Sequence, residues 1–187
     1  VGLADWFRQL WAESLGKART LDGQDVFAGQ TPITALGATD QHSQLQLYRE
    51  GPFDKLFTFQ QVEQFAAKLT IPADFPNDPT LKTLGNHDLG KLLLAEKRAT
   101  EYALCVSGRP NLTVLWPRVD AAHVGQWLYL YEMTTSIMGL LLNINAYDQP
   151  AVELGKQAAY GLLGRTGEPF ESLAGKVEAT LGRDEKF

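Results

Sequence analysis

The chain has one cysteine, three histidines, no run of lysine or arginine and no glycine pair anywhere in its 187 residues. Each scarcity excludes something. Cys105 alone closes no internal disulfide, which removes disulfide scaffolds and cysteine-rich zinc modules and fits a reducing compartment. His42, His87 and His123 make no His-x-x-x-His set, so no metal is expected. Acidic side chains outnumber basic ones 22 to 17, leaving a net charge of −5, whereas a nucleic-acid partner needs a basic face. The longest uncharged run, Met133 to Tyr147, is fifteen residues long and includes Thr134, Thr135, Ser136, Asn143 and Asn145. A membrane span needs about twenty mainly apolar residues, so the run reads as a buried helix and no membrane partner is expected. The opening Val-Gly-Leu-Ala-Asp-Trp has neither a basic nor an apolar leader region, and is expected to lie in the middle of a longer protein.

What is present is an ordinary soluble balance, 44% hydrophobic and 21% charged, at about the length of one domain. Leu3, Trp6, Phe7, Leu10, Trp11 and Leu15 recur at helical spacing and predict an amphipathic helix over 3–18, ended by Gly16 and Lys17. Residues 20–38 read as loop, with a short extended piece at 31–36. Thr39 and Asp40 suit an N-cap for a helix over 41–49, stopped by Gly51 and Pro52. A β-rich run over 54–62 and another over 112–119 read as strands. Between them lie a proline-bearing loop at 71–80 and a long helix that Asp88 caps, running to Val106 with Leu89, Leu92, Leu93, Ala99, Tyr102 and Ala103 near one face. Further helices are expected over 124–142, from Pro150 to 163, and over 168–181. No repeat and no linker divides the chain. Strands alternating with helices give an α/β layer architecture with a mostly parallel sheet, but two strands are too few for this many helices, so part of the sheet is expected to be missing.

Three segments could carry chemistry. In Trp6-Phe7-Arg8-Gln9-Leu10-Trp11-Ala12-Glu13-Ser14-Leu15-Gly16-Lys17, Gln9 and Glu13 share a helical face beside the apolar stripe. Burial there would raise Glu13 toward general-base range; the alternative is a solvated glutamate near a helix end. In Gly37-Ala38-Thr39-Asp40-Gln41-His42, His42 falls in a first helical turn, where the positive end of the macrodipole keeps imidazole neutral; the alternative is an ordinary hydrogen-bonded histidine. In Tyr147-Asp148-Gln149-Pro150-Ala151-Val152-Glu153-Leu154-Gly155-Lys156, Asp148 or Gln149 caps a helix whose free amides suit a polar or anionic ligand. Gly155 would admit another backbone, and Glu153 with Lys156 could equally be a plain surface ion pair. Gly161-Leu-Leu-Gly164-Arg-Thr-Gly167 follows a helix and reads as its C-cap and turn, and Asn86-His87-Asp88 as an N-cap.

Together these segments resemble the phosphoglucose isomerase family, specifically its C-terminal part in the compact bacterial form. Tyr147 to Lys156 resembles the family's C-terminal signature, Glu13-Ser14-Leu15-Gly16-Lys17 its catalytic Glu-Ser-Asn-Gly-Lys segment, and Gly37 to Leu47 the stretch with its ring-opening histidine. The resemblance spans nearly the whole chain. It implies an SIS-type three-layer α/β/α fold, incomplete here, with residues 1–187 forming most of the second SIS domain plus the C-terminal helices. It implies interconversion of glucose 6-phosphate and fructose 6-phosphate, a step of glycolysis and gluconeogenesis, through a cis-enediol in the cytoplasm. Glu13 would be the base between C1 and C2, His42 with Lys156 would assist ring opening, and Gln9 and Gln149 would bind substrate. The reaction needs no cofactor and no metal. The whole enzyme would be a homodimer in which His42 serves the partner's site. Leu15 replaces the usual Asn and Ala151 the usual Gly, and there is no Gly-Gly-Arg motif or Ser/Thr-rich phosphate loop. The segment alone is therefore expected to be inactive. The rival readings are a non-catalytic SIS module that binds a phosphosugar, and an isomerase acting on mannose 6-phosphate as well.

Overall fold

The computed structural model describes residues 2–182. In chain order these form α1 (Gly2–Leu15), β1 (Lys17–Arg19), β2 (Asp25–Ala28), α2 (Thr39–Glu50), β3 (Phe57–Val62), α3 (Pro79–Leu84), α4 (Leu89–Val106), β4 (Asn111–Trp116), α5 (Ala121–Leu141), α6 (Pro150–Leu162) and α7 (Phe170–Leu181). The fold is α/β. Strands β3 and β4 pair in parallel from Phe57↔Asn111 to Val62↔Trp116, and β1 and β2 form a separate antiparallel ribbon. No helix among the described residues is long and apolar enough to cross a membrane.

The chain divides into two compact units, one of residues 1–10 and 31–134, the other of 11–30 and 135–187. Two of the three boundaries fall inside α1 and α5, so the crossings carry no proline, glycine or charge signal of the kind that marks a linker.

The first unit is organised by the parallel pair. A parallel crossover needs a long connection, and α4 supplies it between β3 and β4. Asp88 caps α4 as expected, its Oδ1 accepting from the Lys91 amide at 3.2 Å. Polar groups bind α4 to β4: Lys97 Nζ donates to Glu101 Oε2 (2.8 Å) and to Thr113 Oγ1 (2.6 Å), and Thr113 Oγ1 donates to Glu101 Oε1. The apolar face expected of α4 is accordingly displaced. Leu104 is its buried residue, while Leu89, Leu93 and Tyr102 are exposed. Beside the sheet, Trp6, Phe7, Trp116, Trp127 and Tyr131 make a continuous aromatic cluster, with Trp127 4.6 Å from Tyr131 and 5.6 Å from Trp6. Gln60 Oε1 satisfies both buried indoles, accepting from Trp116 Nε1 (2.7 Å) and Trp127 Nε1 (3.0 Å). Tryptophan can be buried at this depth only when its N–H finds an acceptor.

In the second unit α6 packs against α7. Buried Gly161 lets the Phe170 carbonyl approach so closely that a β-carbon would stand 2.1 Å from its oxygen. Gly164, at φ +88°, turns the chain after α6, as the glycine spacing suggested. Arg165 then lies over the Phe170 ring at 4.1 Å.

Several other expectations are corrected. The first helix stops at Leu15 because Lys17 enters β1; β1 and β2 occupy a segment read partly as helix and partly as loop, and 31–36 is not a strand. With three and four residues and mostly exposed side chains, the ribbon has no alternation to read. A short helix, α3, begins at the last proline of the 71–80 loop, where Asp78 accepts from the amides of Thr80 and Leu81. Thr39 and Asp40 lie inside α2 rather than capping it. Helix α5 is not buried all round: Trp127 and Thr135 are buried, but Tyr129, Leu130, Ile137 and Leu140 are exposed, and the uncharged run continues past its end into a turn.

The start of α5 is fixed electrostatically. Asp120 Oδ1 accepts from the His123 amide (2.9 Å) and lies 2.7 Å from His123 Nδ1, while Oδ2 accepts from Arg118 Nε (2.6 Å). These bonds, the amide foremost, hold the Asp120 carboxyl far below the usual carboxylate range. Its ionised form therefore stabilises the fold above the unfolded carboxylate pKa of about 4, and that contribution is lost as pH falls. Acid unfolding followed by circular dichroism should give a shallower loss of stability for Asp120→Ala than for the unsubstituted chain below about pH 4; parallel curves would remove this role.

Candidate active site

The second unit contains the junction of α1, β1 and the turn before α6. The end of α1 is anchored by Leu15, whose side chain is fully buried (0% exposed). Two glycines let the chain pass closely over this end. A β-carbon on Gly16 would lie 2.9 Å from the Ala12 carbonyl oxygen, and one on Gly29, at φ +109°, would lie 2.8 Å from the Leu15 carbonyl oxygen. Any larger residue would push β2 off the helix end. The turn at 142–149 is joined to the same region: the Leu21 amide donates to Asn143 O (2.8 Å) and Asn143 Nδ2 to Asp22 Oδ2 (2.7 Å).

This framework brings two of the expected site residues, Glu13 and Gln149, into contact. Gln149, the N-cap residue of α6, donates from Nε2 to Glu13 Oε2 at 3.1 Å across 136 positions of sequence. Lys156, the seventh residue of α6, donates to Glu153 Oε1 at 2.8 Å. That bond and the Glu153 charge raise the Lys156 pKa above its ordinary value, with smaller contributions from Tyr160 and Glu13. The surface ion pair considered from sequence is thus present, and the negative charge of Glu13 reaches the same ammonium. Gln149 caps α6 by position but makes no side-chain cap bond, its amide being turned to Glu13.

Two sequence expectations fail here. Glu13 is exposed rather than buried at the edge of the tryptophan cluster, because the apolar stripe of α1 turns its neighbours inward and leaves its own face to solvent. No backbone among the described residues approaches Gly155, where a β-carbon would meet nothing within 4 Å. Leu15 and Ala151 are explained by their surroundings: the former is packed in the core, and the latter is exposed in the first turn of α6.

Gln9 and His42 belong to the first unit. Gln9 is exposed on α1, one helical turn before Glu13 in sequence. His42 is the fourth residue of α2 and is exposed, in the first turn as expected. Helix α2 buries none of its residues completely; the Tyr48 ring packs on Phe57 at 4.9 Å, and hydrogen bonds add to that hold. Gln41 Nε2 donates to Glu96 O (2.9 Å) and to Thr100 Oγ1 on α4, and Arg109 donates to the carbonyls of Arg49 (2.6 Å) and Gly51 (2.8 Å) at the helix end. Asp40 turns its carboxylate back to the Leu36 amide at 2.6 Å, and this bond lowers its pKa.

The sequence reading placed Lys17 at the end of the first helix and Asp148 at the cap of the helix that Pro150 opens, and gave neither a role in the site. Lys17 is 7% exposed, and its Nζ donates to Glu13 O (2.9 Å) and Ser14 O (2.7 Å), with Asp148 Oδ1 at 3.9 Å. A lysine just past a helix end is a recognisable partner for the last carbonyls, and that signal was available.

A family model described as "Phosphoglucose isomerase" matches residues 1–168. The chain is 54% identical over 165 residues to a protein from Carboxydothermus hydrogenoformans named glucose-6-phosphate isomerase, covering 88% of this chain and 36% of that one. It is 47% identical over 184 residues to a protein from Natronomonas pharaonis named probable glucose-6-phosphate isomerase, covering 97% and 40%. The chain thus spans about two fifths or less of the length of these relatives. Among solved structures, a hypothetical protein from Thermus thermophilus matches with a TM-score of 0.80 at 38% identity, covering 87% of this chain and 38% of that one. A glucose-6-phosphate isomerase from Chlamydia trachomatis shares the fold, with a TM-score of 0.72 at 20% identity over 96% of this chain and 35% of that one.

Leu15→Asn, which installs the residue usual in the family, places an amide where leucine is fully enclosed. It is expected to lower unfolding stability by at least about 2 kcal/mol in urea titration, and an unchanged midpoint would contradict the packing described.

Proposed function

The chain belongs to the phosphoglucose isomerase family, and on that premise we propose that it is the C-terminal part of a glucose-6-phosphate isomerase, comprising most of its second SIS-type three-layer domain and the C-terminal helices. The reaction interconverts glucose 6-phosphate and fructose 6-phosphate. The observation that carries this reading is the Glu13 carboxylate, oriented by the Gln149 amide at 3.1 Å.

An aldose-ketose shift moves one proton between adjacent carbons. His42 and Lys156 exchange protons at the ring and anomeric oxygens, which opens the sugar ring. Glu13 then takes the proton from C2, the C2–H electron pair becomes the C1–C2 double bond, and the aldehyde oxygen gains a proton to give the cis-enediol. Return of the carbon-bound proton to C1, with loss of the O2 proton, forms the ketose. One C–H bond breaks and another forms, so no external oxidant or reductant enters the balance. Gln9 and Gln149 bind the sugar, and the charge of Lys156 offsets negative charge on oxygen as it develops. His42 serves the site of a second copy in a homodimer, and the protein works in the cytoplasm.

In the intact protein, Glu13→Gln is expected to lower isomerisation by about 10²–10⁴-fold while sugar-phosphate binding persists, read by a coupled assay and by calorimetry. Rates near those of the unsubstituted protein would remove Glu13 from the mechanism; binding without turnover in the unsubstituted intact protein would instead favour a non-catalytic phosphosugar module. The 187-residue chain by itself, which contains no Gly-Gly-Arg motif, is expected to give negligible turnover of fructose 6-phosphate, and full activity would refute that.

A further inference from the structure

A charged lysine with 7% of its surface exposed must be held by local dipoles and a counter-charge, because burial of an unpaired ammonium is costly. Lys17 has both. Its Nζ donates to the carbonyls of Glu13 (2.9 Å) and Ser14 (2.7 Å), which lie in the last turn of α1, where carbonyls have no intrahelical partner. Its counter-charge is Asp148 Oδ1 at 3.9 Å, while the other oxygen of Asp148 accepts from Asn145 Nδ2 at 2.8 Å. Asp148 immediately precedes Gln149, and Gln149 donates to the Glu13 side chain. One ammonium therefore touches the backbone that carries the carboxylate and faces the residue next to the amide that orients it. All of these residues lie in the second unit.

We propose that Lys17 is the positioning residue of the Glu13–Gln149 pair, fixing the end of α1 against the 145–149 turn so that the amide keeps the carboxylate in one orientation. The inference rests on Glu13 being the base. Burial lowers the Lys17 pKa and Asp148 opposes that shift, which accords with an ion pair retained in a desolvated place. A stabilising role alone does not require a charge there, since apolar replacement of a buried pair is often neutral for stability. Geometry does require it, because methionine fills the same volume without bonding to the carbonyls.

The test uses the intact protein. Lys17→Met is expected to reduce kcat by about 10- to 100-fold with KM nearly unchanged, as for a misplaced catalytic group, and Lys17→Arg to recover part of the loss. The Gln149 side-chain amide, followed by nitrogen-15 NMR, should move toward the position of a solvated glutamine in Lys17→Met. The exposed Asp148→Asn change, which spares the fold, should move both readouts in the same direction by less. An unmoved amide, or kcat within twofold of the unsubstituted protein, would overturn the proposal. If Glu13→Gln turned out active, the base assignment would fall while the amide resonance still decided the role of Lys17.

Discussion

The geometry of the second unit depends on closing the end of α1. Helix ends leave carbonyls without partners, and here the chain must also turn at once into β1 while β2 passes over the same end. Gly16 and Gly29 supply the space, Leu15 the apolar anchor, and the Lys17 ammonium the hydrogen bonds. Because Asp148 faces that ammonium from the turn before α6, closing the helix also brings a distant segment to it. The Glu13–Gln149 bond follows from this closure.

The first unit solves a different problem. Helix α2 carries His42 although none of its residues is fully buried, and the Tyr48–Phe57 ring contact at 4.9 Å is not all that holds it. Directed bonds do so at both ends, from Gln41 to α4 and from Arg109 to the final carbonyls. Arg109 also stacks over Phe53, 5.3 Å from the ring centre, just beyond the helix. A polar helix held in this way keeps His42 on an exposed face.

The elements with strong local signals were legible in the sequence. The parallel strands were visible as β-rich runs, α4 through its Asp88 cap, and α6 through Pro150. The antiparallel ribbon was not, being too short for alternation, and the division into two units was hidden because the chain crosses within α1 and α5. Glu13, Gln149 and Lys156 stood out as candidates by residue type and motif, but the burial expected of Glu13 came from treating α1 as packed over more of its circumference than it is. The enclosure of Lys17 was not legible, because hydropathy treats lysine as a surface residue, whereas this one is enclosed by the carbonyls of the helix it follows.

The central claim is that Glu13 acts on the carbon skeleton from an orientation set by Gln149. A crystal structure of the intact protein with a hydroxamate analogue of the cis-enediolate tests this directly. The expected result is one Glu13 carboxylate oxygen within about 3.5 Å of the analogue atoms that stand for C1 and C2, with Gln149 still donating to the other. A Glu13 carboxylate turned away from those atoms, with another side chain in that position, would contradict it.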